Sequence, residues 1–238
     1  MIKKADINEY SLIWKFMVED RPIKYTFIIL FAMVIATVFI YGISNIFSSS
    51  EFFAAIVRHI SLGEDRSFAE IINYGFAFLS SVLLFIAFLE IGSISLFSGS
   101  IIMAFVWFDD SNHYHELFGR WLSQRFDLLS FPGLRPQDTG EVLAWTAAGL
   151  PLLAILLIAC VRRRAGDSGI LLHFLLGLIG LVICGVVFDL MHVAAPLRFK
   201  LVFELVEDGG EMLAITYIAW FSAAVCRNAS SYYDNVSR

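Results

Sequence analysis

The residues from Ile71 to Phe108 read IINYGFAFLSSVLLFIAFLEIGSISLFSGSIIMAFVWF, and Glu90 is the only charged residue among them. This stretch is too long for a single membrane crossing, which takes about 20 apolar residues. The sequence Glu90-Ile-Gly92-Ser93 interrupts it near the middle. We therefore predict two transmembrane helices joined by a tight hairpin turn.

The composition of the whole chain indicates the same environment. Of its 238 residues, 58% are hydrophobic and 16% are charged, and the mean hydropathy is +0.74. A soluble domain has about a quarter of its residues charged. We predict an all-α, polytopic transmembrane bundle that forms one integral membrane domain over residues 1–238. The predicted spans cover residues 25–44, 71–89, 91–108, 142–161, 169–188 and 207–226.

The basic residues predict the orientation of these spans. With six spans, ten of the 17 lysines and arginines fall on one side, including the run Arg162-Arg163-Arg164. Because basic residues concentrate in cytoplasmic loops, we expect both termini in the cytoplasm. The net charge of -5 and the absence of a basic stripe argue against nucleic acid as a partner.

Two loops on the exoplasmic side contain amphipathic sequence. Residues Phe52, Phe53, Ile56 and Ile60 predict one helix at the membrane surface. The loop 109–141 predicts a second interfacial helix, because Leu117, Phe118, Trp121, Leu122, Phe126 and Leu129 are spaced as on one helix face. We expect Pro132-Gly133 to end it.

Polar residues from three distant stretches are predicted to meet at one exoplasmic level. They follow span three (Asp109, His115 and Glu116), follow span five (Asp189 and His192) and precede span six (Glu207 and Glu211). Asp189 and His192 share a helix face. If the chain stays helical after span three, Asp109, His113 and Glu116 share another.

The sixth apolar block is short. Met212–Cys226 has 15 residues, which rise about 22 Å against a hydrocarbon core of about 30 Å. A helix that recruits the turn Glu207–Glu211 would bury Glu211, which costs at least about 2.5 kcal/mol for an intramembrane carboxylate. Bilayer thinning and extension past Arg227 are the alternatives. We expect Gly209-Gly210 to loosen this turn.

The donors at this level suit a divalent metal. Imidazole and carboxylate ligands fit Zn, Fe or Mn, whereas no cysteine lies nearby to form a thiolate site. We predict His115, His192 and Asp189 as metal ligands. Asp109, Glu207 and Glu211 are predicted to be either further ligands or groups that contact the ligands without touching the metal. Glu116 is the predicted general base. The alternative to a metal site is that these acidic residues are simply solvated at the ends of the spans.

Two motifs resemble those of a known group of proteins. Asp109-Asp110, four residues and His115-Glu116, followed by Glu207-Asp208-x-x-Glu211-Met212, resemble paired motifs in small bacterial multipass membrane proteins that have no assigned activity. The resemblance implies a location in the bacterial inner (plasma) membrane. A looser analogy is to the alkaline ceramidases and adiponectin receptors, which are seven-span zinc amidases. This chain has six predicted spans and no His-x-x-x-His in the last, so their zinc site does not transfer.

Three functions remain open at this point. The leading hypothesis is a metal-dependent, hydrolase-like membrane enzyme that acts on a lipid or lipid-linked substrate at the exoplasmic face. The second is a subunit or assembly factor of a membrane complex, because Gly177, Gly180, Cys184 and Gly185 form a small-residue surface where a partner helix or a second copy could pack. The third is a small transporter coupled to protons or cations.

Overall fold

A computed structural model describes residues 9–62, 67–129 and 134–237. Ten α-helices form within these ranges, together with a π-helical segment at Ile183–Phe188 and a short 3-10 turn at Leu197–Phe199. The α-helices are α1 (Glu9–Glu19), α2 (Arg21–Ile46), α3 (Glu51–Ile60), α4 (Phe68–Ile91), α5 (Ile94–Asn112), α6 (Tyr114–Arg125), α7 (Pro136–Val161), α8 (Asp167–Val182), α9 (Asp189–Ala194) and α10 (Lys200–Ser237).

Six helical segments are long and apolar enough to cross a membrane, which confirms the predicted fold class. They are α2, α4, α5, α7, the segment from α8 to α9, and α10 with the short turn before it. The predicted hairpin is also present. Gly92 adopts the left-handed conformation (φ 73°) at the end of α4, and the Ser93 hydroxyl accepts a hydrogen bond from the backbone N–H of Ser95 at the start of α5.

Helix α10 is much longer than the apolar block that predicted it. It takes in the turn Glu207–Glu211, and it continues past Arg227 across a kink at Asn228, whose backbone is not helical (φ -117°, ψ 15°). The expectation that Gly209-Gly210 loosens this turn is wrong, because the helix runs through both glycines. Gly209 packs against Val38 of α2, and Gly210 packs against the sulfur of Cys184.

The small-residue surface of the fifth span packs within the chain itself. Gly177 lies against Ile218 and Gly180 lies against Ala214, so that α10 covers this surface. Helix α10 also packs on α1, α2 and α4. It is therefore the central element of the bundle, and the surface that favoured an external partner helix is already occupied.

Helix α1 was not predicted, and it closes the bundle end opposite the candidate site. The Glu9 carboxylate accepts hydrogen bonds from the backbone N–H groups of Gly166 and Gly169. Asp167 accepts hydrogen bonds from Ser93 and Tyr233. These bonds join α1, α5, α8 and α10 at one end of the molecule.

The two amphipathic loop helices are present as α3 and α6. Helix α6 ends at Arg125, and Pro132-Gly133, which we expected to end it, lies outside the described residues. Helix α6 packs along α7, which runs without interruption through Pro151. The two helices touch at Gly119 and Gly140, where a β-carbon on Gly140 would overlap the carbonyl oxygen of Gly119.

We expect Gly140→Ala to destabilise the protein by about 1–3 kcal/mol, because the added methyl group forces α6 away from α7. Thermal unfolding in detergent, followed by tryptophan fluorescence, would measure the loss. The matched control is Gly75→Ala, since a β-carbon at Gly75 meets nothing within 4 Å. Equal unfolding temperatures for the two variants would contradict the close crossing.

Candidate functional site

Asp109, in the last turn of α5, and His115, in the first turn of α6, form a pair at the junction of the two helices. Helix α5 ends at Asn112, and His113 takes a left-handed conformation (φ 51°) that turns the chain back. The Asp109 side chain is fully buried. One of its carboxylate oxygens accepts a hydrogen bond from the His115 backbone N–H (3.0 Å), and the other lies 2.8 Å from Nδ1 of the His115 ring. The continued helix that would have aligned Asp109, His113 and Glu116 does not form.

The surroundings of His115 favour its protonated form. Burial disfavours the imidazolium, but the hydrogen bond and charge of Asp109, with the charges of Glu116 and Asp110, outweigh it and raise the pKa of His115 above 6.5. The ring also packs against the indole of Trp145, with ring centroids 5.4 Å apart. Asp109 and Trp145 together fix the orientation of this imidazole.

A second imidazole–carboxylate pair lies where α9 faces α10. Nδ1 of His192 is 2.7 Å from Oε2 of Glu207. The carboxyl groups of Glu207 and Asp189 also interact with each other. The structure thus brings together Asp189 and His192, which follow the fifth span, and Glu207, which precedes the sixth.

Glu211 lies one turn of α10 deeper in the bundle. Its carboxyl group sits over Gly185, where any β-carbon would overlap Oε1 of Glu211. Gly185 belongs to the π-helical segment Ile183–Phe188, an irregularity that often occurs at functional sites. The charges of Asp110, Glu207 and Asp189 all act on Glu211, so the three predicted stretches do meet.

Two acidic residues that the sequence analysis missed complete the group. Asp138 and Glu141 of α7 line a narrow recess together with His115 and Asp189, which we call the acidic recess. Asp138 is paired with Arg135 (Nη2 to Oδ1, 2.7 Å). The sequence did contain a signal for Asp138 and Glu141. They are three residues apart at the start of the fourth span, which places both on one face of a helix at the same depth.

Glu116 does not line the acidic recess. Its carboxylate lies 3.6 Å from Nδ1 of His113, on the turn that begins α6. Its assignment as the general base stays a prediction. Within the described ranges, no three His, Cys, Asp or Glu side chains form a group that could hold a metal ion as they stand.

An apolar cavity of about 370 Å³, which we call the apolar slot, adjoins the acidic recess. The slot and the recess share Val142, Trp145, Gly185 and Val186. Its walls come from α5, α7 and α8 (for example Ile102, Val106, Leu152, Leu156, Leu178 and Leu181), and Asp110 and Glu211 also line it.

The apolar slot opens sideways between α7 and α8. Leu153 of α7 and Val182 of α8 both line it, and each is 49% exposed. Helix α7 packs on α5 and α6 rather than on α8. An apolar opening between two spans faces lipid hydrocarbon.

The fold and the site define a polytopic α-helical membrane protein with a lipid-facing apolar slot beside an acidic recess. Residues 27–226 match the family model described as a domain of unknown function (DUF8692), and the chain belongs to this family. No curated protein and no solved structure matches the chain.

We expect Asp109→Ala to destabilise the protein by about 1–3 kcal/mol, because the backbone N–H and ring of His115 lose their buried acceptor. Chemical or thermal unfolding in detergent would measure this loss. Glu116→Ala is the control, since its ion pair with His113 is partly exposed and should contribute less than about 1 kcal/mol. An equal effect of both substitutions would contradict the anchoring role of Asp109.

The raised pKa of His115 predicts a pH-dependent contribution to stability. A group whose pKa is higher in the folded than in the unfolded state stabilises the fold fully below its unfolded pKa, near 6.5, and loses this contribution as the pH rises through its folded pKa. The wild type should therefore exceed His115→Gln in stability by more at pH 6 than at pH 8.5. Unfolding temperatures of both proteins, measured with a chelator present, would show this narrowing. A difference that grows with pH would contradict it.

Proposed function

We propose that this protein is a metal-dependent, hydrolase-like membrane enzyme that acts on a lipid or lipid-linked substrate at the exoplasmic face. The observation that carries the proposal is the junction of the apolar slot with the acidic recess. A lipid chain could enter the slot from the hydrocarbon between α7 and α8, and the polar part of the same lipid would then lie beside His115 and Asp189.

The two imidazole–carboxylate pairs support the metal. Nδ1 of His115 faces Asp109 and Nδ1 of His192 faces Glu207. In each ring this leaves Nε2 for a metal, and a carboxylate on the other ring nitrogen is the usual partner of a metal-binding histidine. In this proposal His115, His192 and Asp189 bind the metal after a change of side-chain rotamer, and Asp109 and Glu207 orient the rings.

The chemistry requires a base for the attacking water. A bound divalent ion lowers the pKa of a coordinated water and polarises a carbonyl or phosphoryl oxygen. In this proposal Glu141, which lines the acidic recess beside His115, takes the proton. Glu116, the base predicted from sequence, contacts His113 instead. Comparing the hydrolytic activity of Glu141→Gln with that of Glu116→Gln distinguishes the two candidate bases.

We expect gently purified protein to contain close to one equivalent of Zn, Fe or Mn, and His115→Ala to lose most of it. Elemental analysis by mass spectrometry would measure both. His59→Ala is the matched control, because His59 lies exposed on α3, a separate helix. Wild-type protein that contains none of these metals, and takes up none on incubation, would overturn the metal assignment.

Turnover is tested in proteoliposomes of total bacterial lipid, with products followed by lipid mass spectrometry. The wild type should release headgroup or acyl products that His115→Ala does not release. Identical product profiles for wild type, His115→Ala and empty vesicles would overturn the enzymatic proposal.

A further inference from the structure

The apolar slot has the dimensions of a single hydrocarbon chain. Its lining residues on α7 extend from Val142 to Leu156, a rise of about 21 Å. A volume of about 370 Å³ spread over that length is a channel about 5 Å wide. Carbon atoms in contact are about 4 Å apart, so one chain fits this width, whereas two parallel chains need about 8 Å.

The slot is closed at the end that lies away from the acidic recess. Its lining residues stop at Ile102 on α5 and at Leu178 on α8. One turn further in, the ring of Phe174 on α8 lies over Gly99 on α5 and fills the space between the two helices. Phe174 is itself almost completely buried. A chain that follows the slot inward therefore ends at this level.

The polarity of the lining gives a bound chain its direction. The polar residues lie in the half next to the acidic recess (Asp110, Trp145, Thr146 and Glu211). The lining residues further in are aliphatic (Ile102, Leu152, Leu153, Leu156 and Leu178). Because water does not occupy an apolar cavity of this kind, hydrocarbon is the complementary occupant. The methyl end of a chain would lie deepest, and its polar end would lie where the slot meets the recess.

Gly149 keeps the slot open at half its length. It lies seven residues from Val142 and seven residues from Leu156 on the lining face of α7. A β-carbon at Gly149 would meet nothing within 4 Å, so a larger side chain at this position would project into the channel. Glycine is unfavourable inside a helix, and open space in the slot is what it provides here.

The length of the slot limits the length of the chain. An extended hydrocarbon chain advances about 1.25 Å per carbon, given a C–C bond of about 1.5 Å and a tetrahedral bond angle. The whole slot therefore takes at most about 16 carbons, and the part between Val142 and Gly149 takes about 8.

We propose that the apolar slot binds one extended hydrocarbon chain of up to about 16 carbons, and that Gly149 determines how much of the chain is accepted. This inference rests on the proposed function and deepens it, because it names the chain of the lipid substrate at the same site. The acidic recess is left to the metal ligands and the base. The polar end of the lipid needs only to reach the rim that the slot and the recess share.

The test uses 1-monoacylglycerols, which have one chain and a small uncharged end, so that charge does not decide the result. Full-length protein in detergent would be incubated with an equimolar series from octanoyl to arachidoyl chains, and gel filtration would remove the free lipid. Mass spectrometry would measure how much lipid of each length the protein retains. We expect wild-type retention to increase with chain length and to stop increasing near palmitoyl.

Gly149→Leu should lower the retention of palmitoyl glycerol at least about tenfold and that of octanoyl glycerol less than about twofold. A tenfold loss corresponds to about 1.4 kcal/mol, which is spread over about 8 excluded carbons. Gly75→Leu is the matched control and should behave as the wild type, because Gly75 also has open space around it but lies exposed on α4, away from the slot. Equal retention of palmitoyl glycerol by the two variants would overturn the inference.

Photolabelling of the wild type is a second measurement, and it decides the question even if Gly149→Leu fails to fold. A palmitoyl glycerol with a diazirine at its methyl end should label the inner end of the slot, at Leu152, Leu156 or Leu178. Labelling spread evenly over the exposed spans would overturn the inference. Retention that depends on chain length, without metal or products, would instead overturn the proposed function and leave the chain site standing.

Discussion

The π-helical segment Ile183–Phe188, which continues α8, approaches α10 at Gly185, where the carboxyl group of Glu211 occupies the space that a side chain would need. This contact sets the depth of Glu211 in the bundle, and it holds the turn that contains Glu207 against α9. The π-helical segment around Gly185 also determines the direction in which Asp189 and His192 leave the span. The slot, the recess and both imidazole pairs depend on this one close approach.

In a bilayer such an arrangement of polar groups is energetically costly unless the groups pair with one another. Ionisable side chains within a span are costly in hydrocarbon and usually face a cavity or pair with each other. Here Asp109 binds His115, Glu207 binds His192, and Tyr41 donates a hydrogen bond to Glu204. The pairing explains how so many acidic residues can lie together at one end of a bundle of apolar spans.

The sequence was sufficient to predict the spans and the meeting of their polar ends, because both follow from patterns along single helices. Apolar length identifies a span, and the number of spans determines which ends lie on the same side. The turn at His113 could not be predicted, because it depends on the buried carboxylate of Asp109 accepting the His115 backbone N–H six residues later. A local helical pattern gives no sign of such a contact.

Two further features depend on packing between distant elements. Asp138 and Glu141 were assigned to a loop, because α7 begins before the apolar block that marks the fourth span. The slot exists because α7 packs on α5 and α6 rather than on α8, and no single stretch of sequence encodes a space between two helices. Helix α1 escaped prediction for a similar reason, since only Ile13 and Met17 of its 11 residues are buried and the helix is too short to be a span.

The polar bonds at the opposite end of the bundle have a mechanical consequence. Arg164, just beyond α7, donates a hydrogen bond to the carbonyl oxygen of Ile91, and Asp167 ties the neighbouring helices together there. A helix such as α7 that is held by hydrogen bonds at one end can tilt about that end. Any widening of the gap between α7 and α8 that keeps these bonds is therefore a tilt of α7 together with α6, which contacts it at Gly140. The displacement is small near Arg164 and largest at the rim formed by Asp138 and Glu141.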